Sequence, residues 1–136
     1  MTTDLAALQA RVRSLTASVD QARAHKVALT RDQQQVEAFA TELERLAVTA
    51  RSVGRAPAAA FGHMRTAGPF TDMIEANARR AGGKVSVAAD TIATAARASR
   101  ADVERLVREV KAADDKLARV EYELAQTKRA LSMAGG

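Results

Sequence analysis

The residues that could do chemistry in this chain are few, and their spacing fits no catalytic or metal-binding pattern. The two histidines, His25 and His63, lie far apart in the sequence, and neither has a second ligand type at a metal-binding spacing. The sequence contains no cysteine, which excludes thiol catalysis, disulfides and cysteine-bound zinc. We therefore predict no metal site and no cofactor.

Carboxylates and a glycine-rich segment are the remaining candidates for chemistry. Asp114, Asp115, Glu121 and Glu123 stand among lysines and arginines, as solvated charges on a helix do. The segment 82–86 (Gly-Gly-Lys-Val-Ser) partly resembles a phosphate-binding loop, but its spacing differs and no strand precedes it. The sequence thus predicts that the protein is not an enzyme.

Two long stretches, 5–50 and 85–131, each carry a seven-residue repeat of apolar residues. The spacing alternates between three and four residues over six heptads, which is typical of coiled-coil helices. The first stretch has Leu5, Val12, Val19, Lys26, Gln33, Ala40 and Ala47 at position a, and Leu8, Leu15, Ala22, Leu29, Val36, Leu43 and Ala50 at position d. The second has Ala89, Ala96, Val103, Val110, Leu117, Leu124 and Leu131 at a, and Val85, Ile92, Ser99, Leu106, Ala113, Val120 and Thr127 at d.

Two matched helices joined by a segment rich in glycine predict an antiparallel hairpin. Matching large side chains against small ones gives a register for it, because an interface fills best when volumes complement each other. This register pairs Leu15 with Leu117, Lys26 with Leu106, Gln33 with Ser99 and Leu43 with Ala89. A slip by one heptad would place Gln33 against Leu106 and leave its amide without a polar partner, so the first register is expected.

Between the long helices, residues 51–84 contain most of the glycines and both prolines. We predict a first short helix that begins at Pro57 and ends at 65–67, and a second over 69–81 that Gly82 terminates as the C′ residue. The expected fold is all-α: a coiled-coil stalk with a small helical head. The predicted organisation is a single domain, 1–136, with long helix 5–50, head 51–84 and long helix 85–133.

The net charge of +5 is concentrated in the predicted head. Residues 51–83 contain five arginines but only two carboxylates. Such a cluster could bind a partner or contact phosphates, so a nucleic-acid-binding arm is the alternative function. These candidate binding residues are Arg51, Arg55, Arg65, Arg79 and Arg80.

Self-association is a further hypothesis, because a two-helix stalk has a narrow core and such hairpins often pair into four-helix bundles. The predicted surface comprises Phe39 and Leu46 on the first helix, and Val107 and Tyr122 on the second. We expect a homodimer or a partner hairpin, no small-molecule substrate, and a structural or interaction role.

Two segments, Gly68-Pro69-Phe70 and 88–102, resemble the second half of the actinobacterial type VII (ESX, WXG-like) secretion substrates. The Trp-x-Gly turn of that group has only Ala60-Phe61-Gly62 as its counterpart here, and Tyr122 lacks the acid expected four residues later. The resemblance implies protein pairing and secretion.

No run approaches about 20 apolar residues, and we expect no transmembrane segment and no signal peptide. The expected location is cytoplasmic, or outside the cell by a leaderless route.

Overall fold

The computed structural model describes residues 2–61 and 69–135, and all of them are α-helical. Helix α1 spans Thr2–Phe61 and helix α2 spans Pro69–Gly135. The two long helices pack against each other as a helical hairpin, which confirms the all-α fold class predicted from the heptad repeats.

The start of α2 follows from local chemistry. Pro69 is its first residue, as predicted, because proline lacks the N–H that would be unpaired there and its fixed φ suits a helix. Asp72 lies in the first turn, where a carboxylate is stabilised by the partial positive charge of the helix N-terminus. Asp4 has the same position in α1.

The chain forms two compact units, each built from both helices. Unit 1 comprises Met1–Gln34 with Glu104–Gly136, and unit 2 comprises Gln35–Val103. In each unit, a segment of α1 packs antiparallel against a segment of α2, because the chain reverses direction between the helices.

The predicted heptad positions are confirmed by burial. Among the described residues, every buried side chain occupies a position that the repeat assigns to a or d. They are Leu15, Val19, Ala22, Ala40, Ala47, Ala89, Ala96, Val103, Leu106, Ala113 and Thr127. The core therefore consists of a narrow seam in which alanine is the commonest residue. The buried hydroxyl of Thr127 donates to the carbonyl of Glu123 at 2.8 Å, so this polar member of the seam is satisfied.

The separate head of two short helices was a wrong prediction. Helix α1 continues without a break past residue 50 and through Pro57 to Phe61. Helix α2 runs uninterrupted from Pro69 through Gly82 and Gly83, and no described glycine has a positive φ, so Gly82 is not a C′ residue. The predicted end of the first short helix, at 65–67, lies outside the described residues.

Gly82 is a contact residue rather than a helix terminator. It is buried, and a β-carbon built on it would lie 2.5 Å from the carbonyl oxygen of Gly54. Gly54 is one heptad beyond Ala47, and Gly82 is one heptad before Ala89, so both continue the series of a positions. The repeat therefore extends further than predicted, with glycine where the two backbones touch.

The predicted register is wrong in unit 1. It places Lys26 opposite Leu106, but the Lys26 ammonium lies 2.6 Å from a carboxylate oxygen of Asp114, eight residues further along α2. Arg23 reaches Glu121 at 3.2 Å, which is displaced in the same direction. At 1.5 Å per residue these displacements exceed what flexible side chains can span from the predicted register, so α2 is shifted by about one heptad.

Unit 2 shows the same shift. The predicted pair of Leu43 with Ala89 would place Glu44 near residue 88, but Glu44 instead binds Arg100. The contact of Gly54 with Gly82 requires a displacement in the same direction. The predicted pair of Gln33 and Ser99 takes one residue from each unit and stays a prediction.

Candidate protein-interaction face

The helix contact in unit 2 passes through small residues at position a. Ala40 and Ala89 are fully buried, at 0% exposure, and Ala47, Gly82 and Ala96 are buried as well. With alanine or glycine at these positions the two backbones approach closely, as the contact between Gly54 and Gly82 shows. The helices therefore face each other along their a positions.

Four of the seven described d positions of unit 2 carry valine, leucine or isoleucine, yet all seven are only half-buried. The packing through position a turns them toward the edge of the helix contact, so that one helix covers only part of each. They are Val36, Leu43 and Ala50 on α1, and Ala78, Val85, Ile92 and Ser99 on α2. Aliphatic side chains at d normally fill the core of a coiled coil, so this half of the seam is incomplete in the single chain.

Beside these d positions, the g positions over 39–53 of α1 and 74–95 of α2 are apolar and exposed, and the next g position of α2 is Asp102. Phe39 is 58% exposed and Leu46 is 41% exposed, and Val53 follows one heptad later. On α2 the equivalent positions are occupied by Ile74, Ala81, Ala88 and Ala95, all exposed. In an antiparallel pair the g positions of both helices lie on the same side, so the two rows form one surface.

We call this surface the apolar face. It combines the g positions with the half-buried d positions over 36–53 of α1 and 74–95 of α2, and all thirteen positions are apolar. Its residues are Val36, Phe39, Leu43, Leu46, Ala50, Val53, Ile74, Ala78, Ala81, Val85, Ala88, Ile92 and Ala95. A helix that is apolar at a, d and g has a stripe wide enough for more than one neighbouring helix.

The opposite side of unit 2 is closed by ion pairs. Arg100 donates through Nε to Glu44 at 2.5 Å and through Nη2 at 3.3 Å, and its Nη2 also donates to Thr41 at 2.9 Å. Arg51 lies 3.4 Å from Asp90 on the same pair of helices. The hydrogen bond from Arg100 holds the pKa of the Glu44 carboxyl below its usual value. The charged side is thus satisfied within the chain, whereas the apolar face is not.

Unit 1 has no equivalent of the apolar face. Eight of its nine g positions are polar or charged, namely Asp4, Arg11, Ser18, His25, Asp32, Glu109, Lys116 and Glu123, with Ala130 as the ninth. Arg11 lies 3.5 Å from Glu123 across this side. The repeat in unit 1 is therefore restricted to a and d, as in a two-stranded coiled coil.

The predicted self-association residues divide between the two units. Phe39 and Leu46 belong to the apolar face, whereas Val107 and Tyr122 lie on α2 in unit 1 and are exposed there. The predicted self-association surface did not include Val53, Ile74 or the alanine row of α2. The signal that identifies them is the g position of the heptad, once the repeat is continued through the glycines.

The predicted basic cluster is only partly available for binding. Arg51 pairs with Asp90, and Arg79 lies 2.6 Å from Glu75. Arg55 and Arg80 are exposed on outer surfaces of α1 and α2. Arg65 lies outside the described residues.

Sites for small molecules are few in the described part of the chain. No three His, Asp or Glu side chains come together there in a group that could hold a metal ion. A shallow groove of about 490 Å³ in unit 1 is lined by Arg23, Lys26, Val27 and Leu117 among others, but the first two are engaged with Glu121 and Asp114. Neither helix, over its described length, includes a stretch long and apolar enough to cross a membrane.

Comparison with protein-family models found no match, and comparisons with curated proteins and with solved structures found none either.

Proposed function

We propose that this protein is a non-enzymatic interaction protein that pairs with another α-helical protein through the apolar face of unit 2. The observation that supports this proposal is the uninterrupted apolar character of the thirteen d and g positions, six of which lie at d and are only half covered. Apolar surface of this extent is unfavourable in water, and burial against a partner stabilises it by about 25 cal/mol per Å².

The pattern of the face favours a helical partner over a loop or a small molecule. Its two rows run along the helices with spacings of three and four residues, so they offer ridges and grooves into which another helix can pack. Bundles of four helices use this combination of a, d and g positions for their core. Unit 1, which lacks it, would then not take part in this contact.

This function can be tested by photo-cross-linking in the cell that makes the protein. Phe39 is replaced by benzoylphenylalanine, a conservative change at an exposed aromatic residue of the face. The matched control places the same group at Tyr122, an exposed aromatic residue of unit 1. We expect a discrete protein adduct from position 39 and none from position 122. An adduct from position 122 alone would move the interaction to unit 1 and overturn the proposal.

Nucleic-acid binding has weaker support, because Arg51 and Arg79 are engaged by carboxylates of the chain itself. What favours it is the exposure of Arg55 and Arg80, together with the basic net charge. Nucleic-acid binding would be established if DNA retained the protein, if this retention fell steeply with salt, and if the double variant Arg55→Glu with Arg80→Glu abolished it. The type VII resemblance, with secretion as its consequence, likewise stays a prediction.

A further inference from the structure

We infer that the helical partner of the apolar face is a second copy of this chain, related to the first by a two-fold axis parallel to the helices. The inference rests on the proposed function and specifies its partner. In this arrangement α1 of one copy packs on α2 of the other, and the two copies of unit 2 form a four-helix bundle in which neighbouring helices are antiparallel.

The sizes of the g residues support pairing of α1 with α2. The g row of α1 is large, with Phe39, Leu46 and Val53, whereas most of the g row of α2 is small, with Ala81, Ala88 and Ala95. Large residues against large would hold the helices apart, and small against small would leave a gap. Only an arrangement that places each α1 on the α2 of the other copy matches large with small along both contacts.

The heights of these residues along the helices also agree. The contact of Gly54 with Gly82 and the pair of Glu44 with Arg100 fix the register within unit 2. In that register Leu46 lies at a height between those of Ala88 and Ala95. A two-fold axis parallel to the helices leaves heights unchanged, so Leu46 and Val53 of one copy each meet the space between two alanines of the other, and Phe39 meets the space between Ala95 and Asp102.

The area of the face is at the lower end for a pair of proteins. At 1.5 Å per residue its rows are about 26 Å long on α1 and about 32 Å on α2, and two adjacent helices are roughly 20 Å wide. The two rows together present roughly 500–600 Å² on each copy, at or below the lower limit of about 1,200 Å² in total for standard interfaces. In the register of unit 2 the rows lie at the same heights only over about 43–53 of α1 and 85–95 of α2, so the rest of each row meets residues of the other copy outside its apolar face. The single chain exposes 9830 Å², against roughly 6,800 Å² for a monomeric globular protein of its mass, so it has surface to bury.

Charges limit the contact to unit 2. The g side of unit 1 contains Arg11, Asp32, Glu109 and Glu123, and burial of these side chains against a second copy would remove them from water without assured partners. The second copy therefore covers the apolar face and leaves this side of unit 1 solvated.

Multi-angle light scattering on the purified full chain tests this inference. The wild type at high micromolar concentration should have about twice the mass of one chain, which is 14.4 kDa. Leu46→Glu places a charge in the centre of the face and should raise the dissociation constant at least ~100-fold. The matched control, Val48→Glu, changes an exposed valine two residues away on the outer surface and should remain dimeric.

Circular dichroism establishes that Leu46→Glu is still helical, and Ala88→Glu on α2 provides a second, independent disruption. A wild type with the mass of a single chain overturns the inference, as does a Val48→Glu variant that dissociates as readily as Leu46→Glu. If the wild type is a monomer but position 39 still cross-links to a different protein, self-pairing fails while the proposed function stands. If position 39 gives no adduct either, both fail.

Discussion

Gly82 of α2 lies against the backbone of Gly54 of α1, so closely that a β-carbon on Gly82 would be 2.5 Å from the Gly54 carbonyl oxygen. This contact continues the row of small a residues to the end of unit 2 that lies beyond Ala47 and Ala89. It also explains why glycine occurs inside two long helices, although glycine weakens a helix by about 1 kcal/mol relative to alanine.

Substitution of the neighbouring glycines should have opposite effects on stability. Gly82→Ala should lower the free energy of unfolding by about 1–3 kcal/mol, because the added methyl group meets a backbone atom that cannot move without separating the helices. Gly83→Ala should raise it by about 0.5–1 kcal/mol, since nothing lies within 4 Å of a β-carbon there. Urea denaturation of both variants measures the difference. Equal effects would show that the glycine contact does not form.

Disulfide cross-linking should distinguish the register of unit 1 from the one that side-chain volumes favoured. The shift of about one heptad indicated by the ion pairs of Lys26 with Asp114 and of Arg23 with Glu121 places Leu15 at the height of residue 124. Cysteines at 15 and 124 should therefore form a disulfide within one chain under mild oxidation, and cysteines at 15 and 117 should not. The chain has no native cysteine to interfere. Rapid cross-linking of 15 with 117 would show that the register predicted from side-chain volumes is correct.

The ion pair of Glu44 with Arg100 should stabilise unit 2 only above acid pH. The hydrogen bond from Arg100 lowers the pKa of Glu44 from its ordinary value of 4.5. A carboxyl whose pKa is lower in the folded protein than in the unfolded chain contributes stability above pH 4.5, and this contribution is lost as the pH falls through the folded value. The Glu44→Gln variant should therefore have a lower melting temperature than the wild type at pH 7.

That difference in melting temperature should disappear once the pH lies below the lowered pKa of Glu44, because Glu44 is then protonated in both states of the wild type. It should also be small and sensitive to salt, since both side chains are substantially exposed. The control is Glu104→Gln, which alters an exposed glutamate without an ion pair among the described contacts. A difference between wild type and Glu44→Gln that does not shrink as the pH is lowered would mean that the ion pair is not its cause.

The sequence specified the helices and their buried positions but not how the helices slide against each other. Heptad spacing identified Leu15, Ala40, Ala89 and Leu106 as buried because the period of a helix fixes which residues share a face. The predicted register was wrong because matching side-chain volumes assumed that residues at positions a and d are equally buried. In unit 2 the contact instead passes through the small a residues, and only the three-dimensional packing reveals that asymmetry.

The prediction that a helix ends at Gly82 was wrong for a related reason. Gly82 has the sequence signature of a helix terminator, but its place in the heptad, seven residues before Ala89, indicates a contact residue. Ending the repeats at the glycines also concealed Val53 and Ile74, so that Val107 and Tyr122 were grouped with Phe39 in their place. Local turn propensity was overridden by the close approach of two helices.

Thiol labelling at two adjacent positions of α2 tests most directly whether the apolar face is covered by a partner. Ala88→Cys lies on the face and Val87→Cys on the outer surface of the same helix, and both positions are exposed in the single chain. In intact cells a membrane-permeant maleimide should react with the cysteine at 87 at least ~10-fold faster than with the cysteine at 88, because a packed helix excludes the reagent. The two rates should converge in dilute purified protein. Equal rates in the cell would show that nothing packs on the face and would contradict the proposed function.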